Sequence, residues 1–213
     1  MLSVFRKERI QLLLIVFFFC CLPLILSFSI LDGNAGSNGG TSAREPDAAR
    51  PVIRLEVLEK RIHDLVNEER KKQGLNFLDW NPDLNRIARL HSRDMASRNY
   101  FSHENPAGLN FERRYRQQGF TCRIGVGNGR YSLGGENLFQ NNLCRSVTYI
   151  RSGDTVRTVY AWNSMEQIAR STVDGWMKSP GHRKNILQPF WKTEGIGIAI
   201  SGDEKVFITQ NFC

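Results

Sequence analysis

The 213-residue sequence predicts an α+β domain, layered as a sandwich, behind an N-terminal transmembrane helix. Three observations lead there. Residues 12–31 are an uncharged apolar run; from Leu55 onward apolar side chains recur at helical spacing; and the last residues of the chain alternate at strand spacing. A two-stranded hairpin is not stable alone, so the helices must cover a sheet that contains it.

The run LLLIVFFFCCLPLILSFSIL holds twenty residues without charge and follows Arg6, Lys7 and Arg9. About 20 helical residues span a hydrocarbon core of about 30 Å, and the basic flank stays cytoplasmic, which sends the rest of the chain across. The run exceeds the roughly 7–15 apolar residues of a signal peptide and no A-x-A-like site follows it. Residues 1–31 therefore read as a signal-anchor in preference to a removed signal peptide. The product is single-pass with its C-terminal domain outside the cytoplasm or, if the segment is cut, secreted. Cys20 and Cys21 follow phenylalanine rather than a small residue, which argues against a lipid anchor. Residues 32–51, DGNAGSNGGTSAREPDAARP, lack large apolar groups and read as a flexible linker. The folded domain is 52–213.

Within that domain Leu55, Leu58, Ile62, Leu65 and Val66 mark a first amphipathic helix, stopped by Gly74. Asn81-Pro82 is an N-cap and first-turn pair, opening a second helix with Leu84, Ile87, Ala88, His91 and Met95 on one side. His91 on that apolar face reads as a satisfied core histidine. Residues 110–118 read as a short third helix closed by Gly119. Ser164 to Gln167 has the form of a capping box before Ile168, Ala169, Val173 and Trp176, and Ser179-Pro180 caps a short turn after it. Two strands finish the chain, 195–200 and 206–212. Ile196, Ile198 and Ile200 share one face of the first, while Gly195, Gly197 and Ala199 leave the other open to close approach.

Composition narrows the function classes. With 41% apolar, 10% aromatic and 23% charged residues the chain buries a real core, so global disorder is excluded. Of the net charge of +8, two units come from the extreme N-terminus and the rest is scattered. No basic stripe with an aromatic platform exists, so no nucleic acid is expected as a partner. No CxxC pair occurs, which removes zinc-ribbon and thioredoxin-like readings. In an oxidising compartment Cys122 and Cys144 would close a loop across the Gly-rich stretch between them and leave Cys213 unpaired, though sequence leaves the connectivity open.

Four segments carry the chemistry: Tyr100-Phe-Ser-His103-Glu-Asn-Pro106, Gly134-Gly-Glu136-Asn-Leu138, Trp176-Met-Lys-Ser-Pro-Gly-His182-Arg-Lys-Asn-Ile-Leu187, and Gly195-Ile-Gly-Ile-Ala199. In this order they resemble the CAP superfamily of cysteine-rich secretory, antigen and pathogenesis-related proteins, in its prokaryotic SCP-like form, over roughly residues 55–213. The resemblance implies a three-layer α-β-α sandwich with a mainly antiparallel central sheet and a cleft where two histidines and two acids converge. Carried over, these are His103, Glu136 and His182. The fourth position, three residues after Trp176, is Ser179 rather than an acid, with Asp174 the nearest carboxylate.

Two imidazoles and one carboxylate make three ligands with an open position, the arrangement of a catalytic zinc, so His103, His182 and Glu136 are the candidate ligands for zinc or another divalent cation. Set against this, His103 is able simply to brace its polar turn and His182 to cap a helix start, while Glu136 accepts hydrogen bonds from backbone or a histidine. Asn185 is expected to brace the loop before the terminal hairpin, and Trp176 and Trp191 to be core or cleft wall. No serine or cysteine nucleophile accompanies these groups. The family resemblance implies binding of lipid-like, wall-derived or protein ligands outside the cell. The reading that follows is a non-enzymatic binding module whose cleft is lined by His103, Glu136, His182, Ser179 and Asn185. A metal-dependent hydrolase using the same residues is the alternative.

Overall fold

In the computed structural model, which describes residues 49–213, the chain enters α1 (Leu55–Lys72) from an extended N-cap and leaves it through Gly74 in the left-handed region. The two residues of β1 (Asp79–Trp80) lead into α2 (Pro82–Arg98), where the Asn81 side chain accepts from the amides of Asp83 and Leu84, as a capping asparagine should. A short α3 (Phe111–Gln117) follows, capped by Asn110. Five strands come next: β2 (Ile124–Gly125), β3 (Tyr131–Ser132), β4 (Gly135–Asn142), β5 (Cys144–Ser152) and β6 (Thr155–Trp162). The capping box of Ser164 and Gln167 opens α4 (Met165–Lys178), and α5 (Pro180–Ile186) follows at once. The hairpin of β7 (Thr193–Ile200) and β8 (Lys205–Phe212) closes the chain.

The central sheet has the order β1-β7-β8-β4, antiparallel except for the β1–β7 pair. Its two faces are built differently. Ile196, Ile198, Val206, Ile208 and Phe212 point to α1 and α4, where they meet Leu58, Ile62, Val66, Ile168, Val173 and Trp176 in the main core. The opposite face takes α2 at backbone distance: a Cβ added at Gly195 or Gly197 would fall inside the backbone of Asn85 or Arg89. The small-residue face read from the sequence is therefore the seat of α2, and no larger residue fits there.

Both edges of the sheet are closed by side chains, which removes an open template for another strand. Beyond the short β1, the buried Glu59 accepts from the amide of Ile198 at 3.2 Å and Asn85 donates to the carbonyl of Ile196 at 2.5 Å. On the β4 edge, the indole of Trp176 donates to the Leu138 carbonyl at 3.0 Å and Asn185 to the Glu136 carbonyl at 3.1 Å.

The cysteines pair otherwise than the local loop suggested. Cys122 bonds Cys213 across 91 residues of sequence, with Cα atoms 5.6 Å apart, and Cys144 is the free thiol. The sheet decides this: β8 carries Cys213 back to the end of the domain where Cys122 packs with Leu84, Ile87 and Tyr115. Closing so long a loop stabilises by about 2–5 kcal/mol through the unfolded chain. Among the described residues no helix is long and apolar enough to cross a membrane; the expected anchor at 12–31 and the linker up to residue 48 lie outside them.

Candidate functional site

His103 sits in the loop after α2, which begins at Asn99 in the left-handed region. The loop is held by its own side chains: Ser102 Oγ accepts from the amide of Glu104 at 3.1 Å, and Asn105 Oδ1 accepts from the amides of Ala107 and Leu109 at 3.0 and 2.9 Å. Arg114 of α3 then clamps it. Its Nη1 donates to the carbonyls of His103 and Leu109, both at 2.8 Å, while Nη2 pairs with Glu136 Oε2.

Glu136 is the centre of this arrangement. Its side chain is 1% exposed and both oxygens are engaged, Oε2 by Arg114 and Oε1 by His103 Nδ1 at 2.8 Å. A carboxylate paired with a guanidinium is ionised and only accepts, so His103 Nδ1 carries the hydrogen and donates. Nε2 of a neutral His103 is then an acceptor on a ring that is 55% exposed. Sequence reasoning placed Glu136 correctly as a hydrogen-bond acceptor but passed over Arg114, whose charge on a short polar helix looks like any solvated arginine.

His182 is the third residue of α5 and half-buried, so it belongs to the helix rather than capping it. Burial lowers its pKa, and the electrostatic influence of His103 lowers it further. Asn185, one turn on, donates to the Glu136 carbonyl and to Asn137 Oδ1 at 2.9 Å, and its own carbonyl accepts from the Trp191 indole at 3.0 Å. It thus fastens α5 to β4 as well as to the segment before β7. Ser179 joins α4 to α5 without a side-chain capping bond.

His91 lies beneath the patch, 1% exposed. Its Nε2 donates to the Ser102 carbonyl at 3.0 Å while Nδ1 is buried without a partner. Burial pushes its pKa down, opposed by the charge of Glu136, so it is a neutral core histidine bracing the loop that carries His103.

Among the described residues no group of three His, Cys, Asp or Glu side chains is arranged to hold a metal. Arg114 and His103 each engage one Glu136 oxygen, so a cation at this carboxylate would have to share it with both. Two cavities of the fold do not reach these side chains. One, of about 790 Å³, lies at the disulfide end against Phe77, Arg123, Phe190 and Trp191; the other, of about 340 Å³, lies against Met177, Pro180 and Leu187.

A model of the cysteine-rich secretory protein family, CAP, matches residues 63–212. The chain belongs to this family. The chain is 29% identical over 173 residues to the uncharacterized protein YkwD of Bacillus subtilis strain 168, covering 80% of this chain and 54% of that protein. It is 30% identical over 154 residues to the uncharacterized membrane protein YlbC of the same organism, covering 72% of this chain and 34% of YlbC. The chain thus spans about half the length of one curated relative and a third of the other. Among solved structures it resembles an extracellular SCP-domain protein from Bacillus anthracis, with 26% identity and a TM-score of 0.51, covering 76% of this chain and 44% of that one.

Proposed function

We propose that this CAP-domain protein is a binding module held outside the cytoplasm by the segment 12–31, and that His103 and His182 form the polar part of its recognition surface. The observation that carries the reading is the engagement of both Glu136 oxygens: Oε1 orients His103 and Oε2 is tied to Arg114, so the carboxylate serves as a structural clamp. At neutral pH a depressed pKa leaves His182 uncharged, so the pair offers ring nitrogens to hydroxyl or amide groups of a wall-derived, lipid-like or protein ligand. The names of two similar proteins, one extracellular and one of the membrane, support the location. The metal-dependent hydrolase reading gains nothing from a carboxylate so occupied.

The test is a capture experiment with wall fragments, lipid extract and secreted proteins, run on the wild type and on His103→Ala/His182→Ala. Saturable binding without turnover, lost in the double variant while its thermal unfolding is retained, is the expected result. Equal capture by both proteins, or zinc-dependent hydrolysis by the wild type, would overturn it.

A further inference from the structure

The hairpin β5–β6 stands apart from the sandwich. Its root is fixed by backbone bonds, Leu143 N to Glu204 O and Asn163 N to Leu143 O, each 2.8 Å. At about 3.3 Å per residue, the nine residues of β5 make a finger about 30 Å long. Two-stranded ribbons are marginal by themselves, and surfaces usually hide contiguous apolar groups. This ribbon does the reverse. The register pairs Val147 with Tyr160 and Arg151 with Val156, with Tyr149 between them on the same side, so one face is a continuous stripe. On it Val147, Tyr149, Val156 and Tyr160 are 40%, 63%, 55% and 43% exposed.

We infer that this face docks on a bilayer surface bearing anionic headgroups. The composition fits: tyrosine rings favour the depth of the headgroups, and residues 144–162 carry three arginines against one aspartate. Location fits too, and here the inference rests on the anchored reading above. The twenty residues 32–51 bridge at most about 70 Å between the apolar run and the domain. That limit leaves a finger about 30 Å long free to approach the membrane, where its aliphatic and aromatic groups would leave water and Arg145 and Arg151 would meet phosphates.

The full-length protein is placed in nanodiscs of phosphatidylcholine alone or mixed equally with phosphatidylglycerol, and amide hydrogen exchange is followed over 145–161. Each arginine facing an anionic surface is worth about fivefold in occupancy. Exchange in the mixed discs is therefore expected to slow about tenfold or more relative to phosphatidylcholine. Arg145→Glu/Arg151→Glu, both at exposed positions, is expected to abolish the difference. Equal exchange in both lipids overturns the inference, as does protection that follows protein concentration rather than lipid, which would mean a second copy covers the face. Recovery of the chain outside the discs sinks the anchored reading only, because the same exchange comparison with added phosphatidylglycerol vesicles still decides the docking.

Discussion

The protein builds a histidine–glutamate pair twice, once on each face of its central sheet. On the α2 side His103 meets Glu136 at 2.8 Å; on the α1 side His63 meets Glu194 at 2.6 Å. Both carboxylates are buried, at 1% and 0% exposure. The histidines differ. The ring of His103 is 55% exposed, whereas that of His63 is 9% exposed, approached by Asn67 at 3.3 Å and set edge-on to Trp80. Glu194 also accepts from Gln210 at 2.5 Å, which in turn accepts from Asn137 at 2.9 Å, and Asn137 is the neighbour of Glu136 along β4. A polar chain thus runs through the sheet from the closed pair to the open one. The two pairs share their chemistry and differ in access: of the two imidazoles only that of His103 is open to solvent, which is what the proposed binding role requires.

Three outcomes test that contrast. The largest effect is expected from Glu194→Ala, which leaves His63 and Gln210 buried without their partner and costs about 3–5 kcal/mol, read as the loss of unfolding free energy in denaturant titration. A cost below about 1 kcal/mol would mean that the closed pair is not a structural tie.

Acid should then weaken the domain. His91 and His182 have folded-state pKa values below their unfolded ones, so the unfolded chain binds the additional protons as pH falls. Stability is complete above an ordinary histidine pKa of about 6.5 and declines below it. Melting temperature measured from pH 7.5 to 5 is expected to fall, and less steeply in His182→Gln; parallel profiles would show that the ring's burial is not felt. The smallest effect is expected from His103→Ala. An exposed ring contributes little to folding, so the change should stay within about 1 kcal/mol while ligand capture is lost. A penalty equal to that of Glu194→Ala would erase the distinction between the two pairs.

Helices and the terminal hairpin were legible because their signals are local: Asn81, Asn110 and Ser164 cap where their residue types suggest, and β7 alternates as a two-sided strand must. His103, Glu136 and His182 were legible through motif resemblance. The closed pair was not, although a trace of it existed. Glu59, His63, Asn67 and Arg70 recur at helical spacing along α1 and are all buried, yet a polar stripe on an amphipathic helix reads as its wet face. What buries them is β7 and the segments around residues 78 and 188, contacts far away in sequence. The disulfide failed for the same reason, since Cys213 reaches Cys122 only after β8 is laid between β7 and β4. Hairpin β5–β6 was not read from the sequence, because its alternation around Gly153-Asp154 has no core-facing side to mark it.

The seating of α2 on Gly195 and Gly197 has a mechanical consequence. Where backbone lies directly on backbone at Gly195 and Gly197, little side chain lies between to re-pack, so helix and strand are expected to move together. Breathing at the histidine patch is therefore confined to the outer components, the loop that Arg114 pins and the short helix that Asn185 pins, and a probe of slow motion placed on either should register what one on α2 does not.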